Sequence, residues 1–279
     1  MTETSRPEIG ATADAGGIKT NYLEAGSGDP VVLIHGSGPG VTSYANWRLV
    51  LPALAEQFRA VAPDMVGFGF TERPSDVRYG LQTWADQVVG LMDTLDIPKA
   101  HLIGNSFGGA IGLRIAVQHP DRVNKLVLMG SMGVPFQITS GLDRVWGYTP
   151  SFENMRQVLD VFAYSRELVN DELAEVRYQG SIQPGFQESF AAMFPADSTG
   201  SRQQWVEAMT TPEEQIRALP HRTLVLHGRE DQVIPLETSL KLEQLIDNAD
   251  LAVFSHCGHW SMIERTEDFN RVVRDFLRG

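Results

Sequence analysis

The sequence predicts an α/β protein, a doubly wound and mostly parallel sheet with a helical segment inserted late in the chain. Three observations carry that expectation. First, six short runs are almost continuously apolar: VVLIHG (31–36), AVAPD (60–64), HLIGN (101–105), KLVLMG (125–130), TLVLHG (223–228) and LAVFS (251–255). Strands covered on both faces have that character. Second, segments with helical spacing separate most of these runs. NWRLVLPALAEQF (46–58) and LQTWADQVVGLMDTL (81–95) are the clearest, and Pro98 stands just past the second. Strands alternating with helices are the pattern of a parallel sheet wound on both faces. Third, the rhythm breaks once. From about Pro135 to Thr211 no buried-strand run occurs, and helical pieces such as ENMRQVLDVFAYSRELV (153–169) take its place. The expected organisation is a core domain of residues 1–134 and 212–279 under a helical lid of residues 135–211. Residues 1–17 are expected to be loosely ordered.

Size and charge narrow the partners. A chain of 279 residues can build one large domain with an insertion. It carries 23 basic and 35 acidic residues, a formal charge of −12. A field of that sign argues against nucleic acid and anionic membrane. It leaves a small anionic substrate open, because one local arginine overrides the global sign. The single cysteine, Cys257, forms no internal disulfide and fits a reducing cytoplasm. The N-terminal stretch MTETSRPEIGATADAGG lacks the apolar centre of a signal peptide. No run approaches the roughly 20 apolar residues of a membrane helix. A soluble, cytoplasmic protein is expected. Metal-ligand spacing such as H-E-x-x-H is missing, as are a Walker Lys-Ser/Thr pair and G-x-G-x-x-G, so no metal is expected and a phosphate cradle is disfavoured.

The most informative stretch is GNSFG (104–108), where the run HLI ends and GAIGLRIAV begins. A strand-to-helix turn that presents a side chain at its tip strains the backbone and brings helix and strand close together. Glycines on both sides relieve the crowding. Ser106 at that tip would sit at a helix N-terminus, where free N–H groups favour a developing negative charge. A serine hydroxyl needs a base, and the base an orienting carboxylate. With the nucleophile on such an elbow, the carboxylate and then the histidine are expected on loops after late strands. Asp231 follows TLVLHG and His259 follows LAVFS. All three land at carboxyl ends of strands, where open α/β sheets bind ligands. Glu230 is set aside because a one-residue shift turns the side chain away, and His256 lies nearer the strand as a surface or packing histidine. Cys257 has no elbow around it and reads as a small buried filler. The loop HGSGPG (35–40) can turn backbone N–H groups toward an oxyanion. The N–H groups of Ser37 and Phe107 would form the two-donor hole.

HGSGPGVTSYANWRLVLPAL, APDMVGFGFTERP, GNSFGG, VWGYTPSFENMR, SIQPGFQESF, HGREDQVIPL and CGHW together resemble the meta-cleavage product hydrolases, in the branch that handles phenol and monoalkylbenzene intermediates. The resemblance runs over about residues 15–276. It implies the α/β-hydrolase fold and hydrolysis of a carbon–carbon bond in 2-hydroxy-6-oxohexa-2,4-dienoates during aromatic-compound degradation. It also implies no cofactor and a homo-oligomer. Carried over by position, Arg177, Asn46 and Asn105 would hold the dienoate carboxylate and 2-oxo end, with Trp260 lining the same pocket. Met132, Trp146, Val233 and Ile234 would surround the 6-substituent. The chain departs from the family in a slightly longer loop around ADSTGS (196–201) and in a bulkier Met132, which suggests a small 6-substituent. The residues alone also fit an ordinary carboxylesterase or a non-catalytic small-molecule receptor on the same scaffold. A serine at the elbow, where the haloalkane dehalogenases and epoxide hydrolases carry aspartate, disfavours those activities.

Overall fold

A computed structural model describes residues 6–196 and 198–279. Eight strands form one sheet: β1 (Ala11–Asp14), β2 (Lys19–Ala25), β3 (Asp29–Ile34), β4 (Phe58–Pro63), β5 (Ala100–Asn105), β6 (Val123–Met129), β7 (Thr223–Gly228) and β8 (Ala249–Phe254). Their order is β1-β2-β4-β3-β5-β6-β7-β8. From β4 to β8 every pairing is parallel, and β1 and β2 join antiparallel at one edge. The central strands are buried along their length, with Val31–Ile34, Leu102–Ile103 and Leu126–Met129 at 0–1% exposure. Their continuous apolar runs reflect helices on both faces.

Before the insertion come α1 (Ser43–Trp47), α2 (Leu51–Ala55), α3 (Leu81–Thr94) and α4 (Phe107–Gln118). Between β6 and β7 lie α5 (Ser140–Trp146), α6 (Phe152–Phe162), α7 (Asp171–Ser181), α8 (Phe186–Met193), α9 (Thr199–Ala208) and α10 (Glu213–Arg217). Then follow α11 (Leu236–Leu245), α12 (Ser261–Glu264) and α13 (Thr266–Arg278). Side chains cap the N-termini of several inserted helices: Thr139 on α5, Ser151 on α6, Asn170 on α7 and Ser198 on α9. The buried Arg202 ties α9 to Asp143 on α5 through Nε at 2.8 Å.

Three local expectations change. The helix expected over 46–58 is two short helices, because Pro52 has no N–H to offer the Arg48 carbonyl. The helix expected over 153–169 stops at Phe162, and Ala163 is extended (φ −115°, ψ 138°). Its end is set by tertiary bonds, since the N–H groups of His259 and Trp260 take the Phe162 carbonyl at 2.8 and 3.3 Å. Residues 11–14, expected to be loose, form β1 against β2. Residues 1–5, and Asp197 of the ADSTGS loop, lie outside the described residues.

The topology fixes where chemistry can sit. Leaving β3, the chain first adds β4 on one side and then β5 on the other. The loops after β3 and β5 therefore diverge at a switch point and open a crevice at the carboxyl ends. Ser37 follows β3 and Ser106 follows β5.

Candidate functional site

Ser106 occupies the turn between β5 and α4 with φ +56° and ψ −116°. That strained conformation is held by three backbone bonds. Its N–H donates to the Met129 carbonyl at 2.8 Å, and its carbonyl accepts from Gly109 at 3.0 Å and Met132 at 3.1 Å. The flanking glycines are there for close approach. A methyl group on Gly104 would overlap the Gly108 carbonyl, and one on Gly108 would overlap the carbonyls of Ile34 and His35. Gly108→Ala is therefore expected to cost about 3 kcal/mol or more. Gly112→Ala, whose new methyl would meet only side chains, Leu126 at 3.3 Å and Leu102 at 3.9 Å, is expected to be neutral or to gain up to about 1 kcal/mol from helix propensity. Urea midpoints of the two variants check this contrast.

His259 and Asp231 meet as expected. His259 Nδ1 lies 2.7 Å from Asp231 Oδ2, with both side chains buried. A carboxylate only accepts, so Nδ1 carries the proton and Nε2 keeps its lone pair. The other Asp231 oxygen accepts the N–H groups of Val233 at 2.7 Å and Ile234 at 3.0 Å. Burial alone would raise the Asp231 carboxyl. The His259 charge and hydrogen bond, with smaller contributions from His227 and the Ile234 amide, outweigh it and hold the carboxyl below its usual range. His227 stands behind, with Nε2 donating to the Ile234 carbonyl at 3.0 Å and Nδ1 accepting from Ser239 at 2.6 Å. Burial keeps that imidazole neutral. The set-aside residues do other work. Glu230 accepts from the Cys257 N–H at 3.0 Å, His256 is exposed against Tyr164, and burial pushes the Cys257 thiol far above its usual range.

Ser106 and His259 open into one cavity of about 380 Å³ between the sheet and the inserted helices. That is ample for a small molecule. Ser37, Asn46, Asn105, Arg177, Val233 and Trp260 line it too, as the sequence suggests. Phe107 does not line the cavity; it is the first residue of α4, where N–H groups have no intrahelical acceptor. Its ring is buried against Trp84. Met132, Trp146 and Ile234 are buried but do not line the cavity, contrary to expectation. Each holds the site from outside. Met132 bonds the Ser106 carbonyl, Trp146 Nε1 donates to Ser37 Oγ at 2.9 Å, and Ile234 bonds Asp231. Leu142, Val145 and Phe162, which nothing in the sequence distinguished from core residues, form apolar wall instead.

Arg177 is the unusual group. Its guanidinium lies 5.6 Å over the Trp260 ring, and its buried Nε has no hydrogen-bond partner. The side chain as a whole is partly exposed and lines the cavity. Burial first, and the Arg48 charge second, pull its pKa down to about 10, so it is still a cation at neutral pH. Among the described residues no carboxylate forms an ion pair with it. Asn46 Nδ2, in the same cavity, is likewise buried without an acceptor. A buried cation and amide without partners cost stability unless a ligand supplies acceptors. Among the described residues no group of three or more His, Cys, Asp or Glu could hold a metal ion, and no helix is long and apolar enough to cross a membrane.

Residues 29–266 match the family model described as the alpha/beta hydrolase fold. The chain is 59% identical to a 2-hydroxymuconate semialdehyde hydrolase of Pseudomonas sp. (strain CF600), over 97% of this chain and 94% of that one. It is 56% identical to a 2-hydroxy-6-oxo-2,4-heptadienoate hydrolase of Pseudomonas putida, over 97% and 96%. Among solved structures, a meta-cleavage product hydrolase from Pseudomonas fluorescens IP01, a serine-to-alanine variant complexed with acetates, superposes with a TM-score of 0.95 at 55% identity, covering 98% and 99% of the two chains.

Proposed function

Because the chain belongs to the meta-cleavage product hydrolases of the α/β-hydrolase fold, we propose that it hydrolyses the C5–C6 bond of 2-hydroxy-6-oxohexa-2,4-dienoates carrying hydrogen, methyl or a short alkyl group at carbon 6. The products are 2-hydroxypenta-2,4-dienoate and a small carboxylic acid, as a step in aromatic-compound degradation. The observation that carries this reading is Arg177, a half-buried cation with a buried, unpartnered Nε and no carboxylate beside it, in the cavity of Ser106 and His259. A plain ester substrate leaves that cation unanswered. A dienoate carboxylate answers it in bidentate fashion, with Asn46 and Asn105 beside it and Trp260 under the guanidinium.

The chemistry follows from the substrate. Breaking a carbon–carbon bond needs a leaving carbanion with somewhere to put its electrons. Protonation of carbon 5 converts the dienol to its keto form, so the departing fragment leaves as an enolate stabilised by the 2-oxo group. His259, oriented by Asp231, moves the protons. The N–H groups of Ser37 and Phe107 stabilise the oxyanion at carbon 6. Ser106 forms the acyl-enzyme that water then cleaves. No cofactor is invoked, because the substrate carries its own electron sink. In the same reading residues 135–211 act as a lid, and the protein is a cytoplasmic homo-oligomer, which sedimentation and fractionation test.

With the carboxylate at Arg177, the 6-substituent points toward Leu142, Val145 and Val233. Val145→Ala is expected to raise the 6-phenyl to 6-methyl ratio of kcat/KM by roughly tenfold, while Met132→Ala leaves that ratio unchanged. The reaction itself is tested with the yellow ring-fission product of 3-methylcatechol. Loss of its dienolate absorbance, with acetate and 2-hydroxypenta-2,4-dienoate as products, is the expected result. Absorbance unchanged at micromolar enzyme counts against the assignment.

A further inference from the structure

Glu264 ends α12, five residues beyond His259. Its carboxylate accepts three main-chain N–H groups from two separate segments. Oε1 takes Gly258 at 2.7 Å, in the loop that carries His259, and Oε2 takes Tyr164 at 2.7 Å and Ser165 at 2.9 Å, just past the end of α6. The two segments also touch directly, since the His259 N–H donates to the Phe162 carbonyl at 2.8 Å. Gly258 has no room for a side chain there, because a methyl group would sit 2.8 Å from that carbonyl and 2.9 Å from the Tyr164 nitrogen. Phe162 stacks on Trp260 with ring centres 4.7 Å apart and faces His259 at 5.8 Å. The backbone of His259 is thus fastened to the inserted segment 162–165, while Cys257, two residues before it, is bonded to Glu230 just past β7. Glu264 joins the two without a cationic partner of its own among the described residues.

We infer that Glu264 is a positioning residue for the reaction: it locks the His259 loop to residues 162–165, so that the imidazole is set for proton transfer only while this part of the insertion is seated. This rests on the reading of Ser106 and His259 as nucleophile and base. The carboxylate suits the task because both oxygens accept. A glutamine of the same shape has one accepting oxygen and an NH2 group that repels whichever amides it faces, so one side of the clamp opens.

The test compares wild type with Glu264→Gln, each checked for native circular dichroism. Three quantities are read: kcat and KM on the 6-methyl dienoate, and the rate of Ser106 labelling by a fluorophosphonate, which needs His259 but no dienoate pocket. A displaced base of this kind is expected to lower kcat and the labelling rate together by about 30-fold, with KM within about twofold of wild type. The downfield proton resonance of His259 Nδ1–H should shift or broaden in parallel. A lower Tm with both rates unchanged makes Glu264 merely structural and overturns the inference. A raised KM at wild-type kcat and labelling rate also overturns it, by assigning Glu264 to substrate binding. If Glu264→Gln does not fold, Glu264→Asp keeps the charge but draws the oxygens back by one methylene. The same joint loss is expected of it, and wild-type rates refute the clamp. If wild-type protein labels at Ser106 yet leaves the dienoate untouched, the substrate assignment falls while the labelling comparison still decides the role of Glu264.

Discussion

Ser106→Ala is expected to lower kcat on the dienoate by at least about 10⁴-fold, while the dienoate still binds. Binding survives because the groups proposed to hold the carboxylate, Arg177, Asn46 and Asn105, lie elsewhere in the cavity wall. The proposed oxyanion donors are main-chain N–H groups that the substitution leaves in place. The turn itself survives as well, since its backbone bonds to Met129, Gly109 and Met132 do not involve the hydroxyl. His259→Ala should give a loss of similar size, and the double variant should be little worse than either alone, because the groups act as one unit. Rapid mixing of Ser106→Ala with substrate is the check. A fast spectral change on binding, followed by no bleaching, fits this account. Retention of even a tenth of wild-type kcat would remove Ser106 from the chemistry.

Arg177→Met is expected to act in opposite directions on catalysis and on stability. Losing a charge-assisted contact to the carboxylate, worth about 3 kcal/mol, lowers kcat/KM by roughly 10²-fold. In the free protein the guanidinium has no counter-charge, and its buried Nε has no acceptor. Replacing it with an apolar side chain of similar length should stabilise the unliganded fold by about 1–3 kcal/mol. Lysine does not rescue activity, because a point charge cannot reproduce the planar fork. Thermal melts and dienoate kinetics on one preparation measure both effects. A variant that loses activity and stability together would make Arg177 an ordinary structural residue.

What the sequence discloses and what it conceals divides along physical lines. The central parallel strands were legible because burial on both faces leaves a continuous apolar run, as in Val31–Ile34 and Leu224–Leu226, whereas β8, also an apolar run, is a partly exposed edge strand. β1 and β2 were not legible, because ATAD is a short exposed edge strand and KTNYLEA, paired between β1 and β4, fills buried positions with the polar Thr20 and Asn21. Ser106, Asp231 and His259 were legible because each follows a recognisable strand, and strand ends in such a sheet converge. Closeness to a strand end says little about which way a side chain faces. Nor does position carried over from a resemblance, which is why Met132, Trp146 and Ile234 are expected in the pocket wall, whereas they brace the elbow, the Ser37 loop and Asp231 from behind. Arg177 is unremarkable by composition and spacing; the resemblance singles it out, and the cavity shows its Nε buried without a partner. Glu264 gave no signal, since two of its three partners are main-chain amides about 100 residues away. The early end of α6 has the same origin, because local propensity carries no trace of a carbonyl claimed by a distant loop.

The most direct test of the central claim is a ratio. Wild-type protein is offered the 6-methyl dienoate and a nitrophenyl ester of similar size, and kcat/KM is measured for both, then again in Arg177→Met. A dienoate hydrolase anchored by Arg177 prefers the dienoate strongly, and the substitution collapses that preference by roughly 10²-fold while ester turnover holds. Preference for the ester in wild type, or an equal loss on both substrates in Arg177→Met, would contradict the account.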